Sequence, residues 1–229
     1  MKIVLNGACG KMGRIVREIC AQKQISVIGV DIKKDGEVLN SFDEIKDDFD
    51  GIIDFSSPSG VALSLNFAVK RNKPIVIGTT GYGEKEKELI LISSKKIPVF
   101  VSPNMSKGIN LCFYIVDILS KVVKSDVHIH EVHHKTKKDA PSGTAVFLKG
   151  IVEKNGLDAG VSYARISDIV GEHSITFGFE GEKIVLSHIA YTREIFAKGA
   201  IDALKWLLSK KAGLYNFNDI FQMQLNQSS

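Results

Sequence analysis

The sequence is poor in cysteine and contains no long apolar run. Its three cysteines, Cys9, Cys20 and Cys112, are odd in number and far apart, which fits a reducing cytoplasm better than a disulfide framework. No charged-then-apolar signal segment precedes the first apolar strand, and no apolar stretch approaches the roughly 20 residues that span a membrane. We therefore expect a cytoplasmic protein that does not insert into membranes.

A strong excess of one charge is also missing, as are internal repeats and low-complexity segments. The formal net charge of +4 suits anionic small molecules but is too weak and too dispersed to indicate binding to nucleic acid. Hydrophobic residues make up 44% of the 229 residues, so the chain can bury a core as one large domain or two small ones.

A glycine-rich turn follows the first apolar run, at residues 2–5. Gly7, Gly10 and Gly13 have the spacing Gly-x-x-Gly-x-x-Gly, and a helical pattern comes next, which is the context of a dinucleotide-binding turn. Gly7 would make the tight turn, Gly10 would admit the pyrophosphate, and Gly13 would let the helix pack on the strand. Cys9 stands where the commoner Gly-x-Gly-x-x-Gly pattern has its second glycine. The predicted cofactor-binding residues of this turn are Gly7, Ala8, Cys9, Gly10, Lys11 and Met12.

The preference between NADH and NADPH stays open at this point. Asp31 directly follows the second apolar run, at 25–30. A carboxylate at this position can accept hydrogen bonds from the adenosine ribose and so favour NAD. Lys33 and Lys34 follow, and they could receive the extra phosphate of NADP or simply lie on the surface.

Three further apolar runs, at 51–55, 75–77 and 99–101, alternate with helical stretches. This order predicts right-handed crossovers and a parallel sheet, in which ligands lie beyond the carboxyl ends of the strands. Polar loops with glycine or proline follow strands in any fold, but here several would meet at one edge, which favours a nicotinamide site. The loops after the fourth and fifth strands contain the predicted cofactor-binding residues Gly78, Thr79, Thr80, Ser102, Pro103, Asn104 and Met105.

The second half of the chain changes character after a predicted helix at 107–123. Strands are predicted at 126–132, 162–169, 173–179 and 183–190, a helix at 142–155, and a hairpin turn at Glu180-Gly181. We predict an α/β Rossmann-type parallel sheet domain at 1–104, with 194–229 packing back on it, and a smaller α+β domain with a mostly antiparallel sheet at 105–193. One helix cannot easily cover both faces of that sheet, so we expect oligomerisation through the open face.

The end of the chain is predicted to contain a helix at 195–208 and an apolar segment at 215–221 that docks on the protein. Residues 222–229 are polar, and we expect them to form a frayed end.

The segment Glu131–Ala145 concentrates chemically active side chains. In a strand at 126–132 the side chains alternate between faces, so His128, His130 and His134 would point one way, and Glu131 and His133 the other. Lys137 follows His133 by four residues, so one loop could bring both to one small molecule. A helix start at 142–144, with Ser142 or Thr144 as N-cap, could bind an anion.

Other interpretations of this segment exist. A lysine-rich loop is usually just a solvated surface. The histidines could instead bind zinc, as in a metal-dependent hydrolase that uses His128, His130, His133 and His134. Strand alternation splits these histidines between faces, however, and no cysteine pair or His-Glu-x-x-His helix completes a metal site. A third alternative is a non-catalytic NAD-sensing module, which would leave this segment unexplained.

From Ile3 to about Phe221 the sequence resembles the dihydrodipicolinate reductase family. The run Glu131-Val-His-His, Lys137 and then Asp139-Ala-Pro-Ser-Gly-Thr-Ala is highly specific to that family, whereas the glycine turn is not. The sequences around Gly171-Glu-His173 and Arg193 also resemble the family. Two departures are Cys9, where many members have glycine, and Arg165-Ile166-Ser167, where a glycine-richer segment is expected.

The resemblance implies an enzyme of lysine and diaminopimelate biosynthesis. Such an enzyme reduces 4-hydroxy-tetrahydrodipicolinate, a small dicarboxylate, to tetrahydrodipicolinate by hydride transfer from NADH or NADPH, and the resemblance also implies a homotetramer. It implies His133 and Lys137 as the catalytic, proton-handling pair. The implied substrate-binding residues are His134, Gly143, Thr144 and Arg193, and no metal is implied.

Overall fold

The structure, a computed structural model, describes residues 1–33 and 35–227 and divides into two compact units. The first unit comprises Met1–Ser106 and Glu194–Ser229, and the second comprises Lys107–Arg193. Lys34, one of the two lysines considered for a cofactor phosphate, lies outside the described residues. Within the described part of the chain, no helix combines the length and the apolar character needed to cross a membrane.

Strands and helices are numbered along the chain. The strands are β1 (Lys2–Asn6), β2 (Ser26–Val30), β3 (Gly51–Asp54), β4 (Ile75–Ile77), β5 (Pro98–Val101), β6 (Asp126–His133), β7 (Ala159–Arg165), β8 (Gly171–Phe179), β9 (Glu182–Ala190) and β10 (Gly213–Tyr215). The helices are α1 (Lys11–Gln22), α2 (Pro58–Arg71), α3 (Glu84–Ser94), α4 (Lys107–Val122), α5 (Gly143–Lys154), α6 (Glu194–Leu207) and α7 (Phe217–Gln227). A short 3₁₀ helix covers Phe42–Glu44.

The first unit is built on a parallel sheet with the strand order β10-β5-β4-β3-β1-β2. Its central strands β3 and β4 are buried along their whole length, and they read as continuous apolar runs because parallel strands are covered on both faces. The chain adds β2 on one side of β1, and it then adds β3, β4, β5 and β10 in turn on the other side. The predicted Rossmann-type fold is confirmed, and the reversal beside β1 marks the place where such sheets bind ligands.

The C-terminal segment adds a sixth strand that the sequence pattern did not predict. β10 pairs in parallel with β5, with Leu214 opposite Val99. The ring of Phe217, at the start of α7, packs edge-on against Phe100 at 5.1 Å between centroids. The expected frayed end at 222–229 is wrong for the described residues, because α7 continues to Gln227. Three residues are too few to show an alternating pattern, so only packing on the sheet defines β10.

The second unit contains a sheet with the strand order β7-β6-β8-β9. β6 pairs in parallel with β7, whereas β6–β8 and β8–β9 are antiparallel, so the sheet is mostly antiparallel as predicted. α4 and α5 pack on one face of the sheet around Phe113, Leu148, Ile175 and Phe177.

One strand of this unit differs from the prediction. The strand expected at 162–169 is β7, which begins three residues earlier at Ala159 and ends at Arg165. Ser167 has a φ of 46°, a left-handed conformation that cannot continue a strand. The turn that follows β7 leads directly into β8.

The alternation predicted for the histidine-containing strand is confirmed. The side chains of Glu131 and His133 are buried. His128 and His130 lie on the exposed face, where both hydrogen-bond to the Ser162 hydroxyl at 2.8 and 2.9 Å. His134 lies just beyond the end of β6.

Candidate active site

The glycine turn after β1 leaves no room for a side chain at Gly7 or Gly13. Gly7 has a φ of 84°, and a Cβ atom there would lie 2.3 Å from the carbonyl oxygen of Phe55. A Cβ on Gly13 would lie 2.1 Å from the carbonyl oxygen of Gly7. Gly13 therefore allows α1 to pack closely on the turn after β1, and Gly7 allows that turn to approach the residue that follows β3.

The N-terminus of α1 fits an anionic group. Gly10 is the N-cap and has no side chain with which to bond the first N–H groups of the helix, those of Lys11 and Met12. Such N–H groups and the positive end of the helix dipole bind phosphates. The arrangement fits the pyrophosphate of a dinucleotide.

Asp31, at the end of β2, is held rigidly beside this turn. One carboxylate oxygen accepts a hydrogen bond from the backbone N–H of Cys9 at 2.9 Å, and the other accepts one from Lys33 at 3.0 Å. A cavity of about 480 Å³ is lined by Gly7, Gly10 and Asp31 among other residues. The structure thus brings these three predicted residues together at one cavity.

A buried carboxyl group that the sequence analysis missed organises the neighbouring strand ends. Asp54 is fully buried and accepts hydrogen bonds from Asn6 Nδ2 at 3.0 Å, Ser56 Oγ at 2.8 Å and Thr79 Oγ1 at 2.6 Å, and also from the Ser64 hydroxyl. These partners belong to the ends of β1, β3 and β4 and to α2. The only sequence signal was a polar residue at the end of each of two apolar strands.

The other predicted cofactor loops follow β4 and β5, which are adjacent strands, but their residues do not line the cavity beside Asp31. A Cβ on Gly78 would lie 2.3 Å from the ring of Phe55. Thr79 is buried in the Asp54 network, whereas Thr80 is exposed. In the loop after β5, Pro103 is exposed and Met105 is buried. The Ser102 hydroxyl donates to the carbonyl of Asn104 at 2.7 Å.

Glu131 lies at the centre of the candidate site in the second unit, and it is also fully buried. Arg165 donates two hydrogen bonds to it, from Nη1 to Oε2 and from Nη2 to Oε1, both at 2.9 Å. The backbone N–H of Ser142 donates to Oε1 at 2.9 Å, and His133 Nδ1 bonds to Oε2. Burial raises the pKa of Glu131, but these hydrogen bonds together bring it below its ordinary value, so the carboxylate is ionised.

His133 is buried and neutral in most molecules at neutral pH. Burial lowers its pKa, the Glu131 carboxylate opposes that effect, and the charges of Lys137 and Arg165 lower the pKa further. Because an ionised carboxylate can only accept, Nδ1 carries the proton that is donated to Glu131. Nε2 is therefore the nitrogen with an available lone pair.

The basic turn after β6 brings Lys137 and Asp139 together. Lys137 Nζ donates to both carboxylate oxygens of Asp139, at 2.8 and 2.7 Å. Burial raises the pKa of Asp139, while hydrogen bonds from Lys137 and from the backbone N–H of Gly143 lower it below its ordinary value overall. The ammonium of Lys137 and the start of α5 can therefore bind one carboxylate jointly.

His134 and Arg193 also meet in this unit. Arg193 Nη2 lies 3.3 Å from His134 Nε2, and His134 Nδ1 lies 2.8 Å from the Thr136 hydroxyl. Since a guanidinium only donates, His134 accepts at Nε2 and donates from Nδ1. Gly143 and Thr144 are the first two residues of α5.

The helix cap predicted at Ser142 or Thr144 is Ser142, whose hydroxyl accepts from the N–H of Ala145 at 3.2 Å. The same hydroxyl lies 3.2 Å from Nε2 of His173, whose ring meets that of His133 edge-on at 5.1 Å between centroids. Burial, together with the charge of His133, lowers the pKa of His173 to about 3. His173 is a part of the site to which the sequence analysis assigned no role.

The histidines of β6 do not converge on one point, since His128 and His130 face away from His133. Among residues 1–33 and 35–227, no group of three or more His, Cys, Asp or Glu side chains is arranged to hold a metal ion. The hydrolase interpretation therefore has no support from the described geometry.

We predict that His173 makes the second unit sensitive to acid. Its folded pKa of about 3 lies below the ordinary 6.5, so the unfolded chain binds the proton more readily. The stability that neutral His173 contributes is fully present above pH 6.5 and falls by about 1.4 kcal/mol per pH unit as the pH drops toward 3. Urea unfolding at several pH values, in wild type and His173→Gln, measures this slope. Substitution of Gln should flatten it, whereas His128→Gln on the exposed face should not. Equal slopes in wild type and His173→Gln would contradict the prediction.

Comparison with known proteins assigns the family. Family models of the N-terminal and C-terminal parts of dihydrodipicolinate reductase match residues 1–105 and 108–221. The 4-hydroxy-tetrahydrodipicolinate reductase of Wigglesworthia glossinidia brevipalpis is 37% identical over 98% of this chain and 94% of that protein. The enzyme of the same name from Buchnera aphidicola subsp. Cinara cedri is 36% identical over 96% and 97%.

A solved structure shows the same fold. The dipicolinate-bound dihydrodipicolinate reductase from Paenisporosarcina sp. TG-14 matches with a TM-score of 0.80 over 94% of this chain and 97% of that chain, at 20% identity. Together with the sequence matches over nearly the full chain, these findings show that the protein belongs to the dihydrodipicolinate reductase family.

Proposed function

We propose that the protein reduces 4-hydroxy-tetrahydrodipicolinate to tetrahydrodipicolinate by hydride transfer from NADH or NADPH, a step of lysine and diaminopimelate biosynthesis. The observation that carries the proposal is the cluster in the second unit, where a buried Glu131–His133 pair adjoins Lys137 and the start of α5. Relatives named as 4-hydroxy-tetrahydrodipicolinate reductase match nearly the whole chain. Neither a metal-dependent hydrolase nor an NAD-sensing module is supported by the family.

The first unit has the features of the cofactor-binding domain. The space at Gly7 and Gly13, which any Cβ would fill, and the N-terminus of α1 suit a dinucleotide pyrophosphate. When bound, the nicotinamide supplies the hydride. We assign to cofactor binding the residues that the sequence indicated: Gly7, Ala8, Cys9, Gly10, Lys11, Met12, Asp31, Gly78, Thr79, Thr80, Ser102, Pro103, Asn104 and Met105.

The second unit supplies the proton-handling and substrate-binding groups in this proposal. Reduction of a ring carbon conjugated to an imine develops negative charge toward the ring nitrogen and its carboxylate, so the reaction needs a proton donor and a cation. His133 carries the proton on Nε2 when it is protonated. Lys137 is the cation, and its ammonium can also donate.

We propose that a carboxylate of the substrate binds to the same groups that hold the carboxylate of Asp139. Asp139 shows that Lys137 and the N–H of Gly143 can hold one carboxylate. Thr144 at the same helix start, and His134 with its partner Arg193, complete the proposed substrate-binding set. The helix dipole adds to the attraction for an anion.

We predict that Lys137→Ala loses most turnover and keeps NADH binding. Removing the cation at the developing charge should lower kcat by about 10² to 10⁴, while the glycine turn lies in the other unit. Lys138→Ala, an exposed neighbour, is the matched control and should keep its activity. Steady-state oxidation of NADH and fluorescence titration of NADH measure the two quantities. Turnover of Lys137→Ala equal to wild type would disprove the assigned role.

We propose that NADH is the preferred cofactor, although the fold accommodates either. The carboxylate of Asp31 is fixed by two backbone N–H groups at the cavity, where it can accept from ribose hydroxyls and repel a 2′-phosphate. Ile32, next to it, lines the same cavity with a side chain that is 93% exposed. An apolar side chain there offers no charge to a phosphate.

Exchange of Asp31 tests this preference. Asp31→Asn removes the charge, so we expect the ratio of kcat/KM for NADH over NADPH to fall by about tenfold or more, since one close charge is worth about 1.4 kcal/mol or more at a partly buried site. Asp35→Asn, which removes a charge that does not line the cavity, should leave the ratio unchanged. Assays with both cofactors at fixed substrate measure the ratio, and an unchanged ratio in Asp31→Asn would reject the assignment.

We propose a homotetramer that assembles through the outer face of the second unit's sheet, which we define by His130, Ser162, Ser174, Val185 and Ile189. α4 and α5 cover the opposite face. On the outer face, Val185 and Ile189 are 48% and 46% exposed beside paired hydroxyls such as Ser174 with Ser187. A second copy of the same face would match this mixture of apolar and hydrogen-bonding groups.

We propose the cytoplasm as the location, because all three cysteines are free thiols.

Light scattering after size exclusion tests the assembly. Ile189→Glu should reduce the molar mass from that of four chains, because it places a charge in a contact from which water is excluded. Leu91→Glu, at a residue of similar exposure on α3 of the first unit, should leave the mass unchanged. A wild-type protein that stays monomeric at micromolar concentration would refute the proposal.

A further inference from the structure

The carboxylate of Glu131 has every acceptor position occupied. Its Oε1 accepts from Arg165 Nη2 and from the Ser142 backbone N–H, and its Oε2 accepts from Arg165 Nη1 and from His133 Nδ1. A carboxylate offers about four lone-pair sites, so no further donor is needed. A buried charge that is satisfied in this way is held in one orientation.

We infer that Glu131 and Arg165 are positioning residues for the proposed reaction: Glu131 fixes His133 as the Nδ1–H tautomer and directs Nε2 to the proton transfer, and Arg165 holds the Glu131 carboxylate in this orientation through two hydrogen bonds. The inference rests on the proposed function, in which His133 handles the proton. It assigns a role to Arg165, the first residue of a segment that differs from the glycine-richer sequence expected there.

The tautomer follows from the charges. Because Glu131 is ionised, it cannot donate, and only a protonated Nδ1 gives a favourable contact. The second nitrogen is close to Gly171, where a Cβ atom would lie 2.9 Å from Nε2. A glycine at 171 therefore keeps the space beside Nε2 clear. In metal sites and catalytic triads, a carboxylate on one imidazole nitrogen likewise orients the other.

The proton affinity of His133 results from opposing charges on every neighbouring element. Glu131 on β6 raises the pKa of His133, whereas burial, Lys137 in the basic turn and Arg165 on β7 lower it. His173 on β8 lies against the ring, but its own low pKa leaves it uncharged. The titratable or charged groups around His133 are thus Glu131, Lys137, Arg165, His173 and, through its pairing with Lys137, Asp139.

The same ion pair connects His133 to the rest of the proposed site. Arg165 Nη2 also donates to the carbonyl of Asp139 at 2.7 Å, which fixes the backbone just after Lys137. The bond from the Ser142 N–H to Glu131 fixes the residue that caps α5. One buried ion pair therefore sets the position of the imidazole, the basic turn and the helix start together.

Opposite shifts in the pH dependence of turnover distinguish this role from a merely structural one. Glu131→Gln removes a negative charge at hydrogen-bond distance, so the midpoint that reports His133 should move to lower pH by about one to three units. Arg165→Met removes a positive charge, so the midpoint should move to higher pH. A general loss of structure would lower the rate without moving the two midpoints in opposite directions.

Matched variants control for charge and position. Arg165→Lys keeps the charge and should leave the midpoint within about half a unit of wild type, although it cannot form the bidentate pair. Asp126→Asn removes a charge from the exposed start of the same strand, about 16 Å from Glu131 at the strand rise per residue, and should change neither rate nor midpoint. The urea midpoint of each variant, measured as for His173→Gln, reports that the second unit is folded.

A direct measurement on the wild-type protein does not depend on the variants. Long-range ¹H–¹⁵N spectra should show the neutral His133 ring with the proton on Nδ1, with His133→Gln serving to assign its signals. Detection of the Nε2–H tautomer, or midpoints that do not move in Glu131→Gln and Arg165→Met, would overturn the inference. Absence of reductase activity in the wild type would instead reject the proposed function, and the spectra would still test the tautomer.

Discussion

A carboxylate that is withdrawn from water must have donors at all of its acceptor positions, and this constraint organises both units. Transfer of a charged or polar group into the interior costs several kcal/mol unless hydrogen bonds replace those of water. Asp54 and Glu131 are both fully buried. Each is surrounded by donors from several strands and loops, so each can exist only if those elements are in place.

In the first unit this requirement joins the strand ends to the loops that follow them. Asp54 binds Asn6 at the end of β1, Ser56 just after β3 and Thr79 just after β4. These contacts hold the loops in register at the edge of the sheet where the glycine turn lies. A rigid edge lets the N–H groups of α1 face a phosphate without reorganisation, which is how preorganised sites gain affinity.

In the second unit the same requirement places the charged and titratable side chains of the candidate site close to one another. Glu131 and His133 continue the row that Val127 and Ile129 form on the covered face of β6, so their burial follows from their positions in the strand. Arg165 reaches Glu131 because β7 pairs with β6 in parallel, with Arg165 opposite His133. An imidazole, an ammonium group and a helix N-terminus then occur within one hydrogen-bonded network, and this is the combination that the proposed reduction needs.

Much of this protein follows from local sequence patterns, because glycine spacing and apolar periodicity act over a few residues. The turn at Gly7–Gly13, the five apolar strands of the first unit, the opposite faces of His130 and His133 and the start of α5 could all be predicted in this way. Long-range pairing decided the rest. β10 is too short to show a pattern and forms only against β5, and α7 is anchored through Phe217, Ile220 and Phe221, which are all in its first half. Likewise, the partners of Asp54 and Glu131 are up to 48 residues away along the chain, a separation at which the sequence carries no local signal of contact.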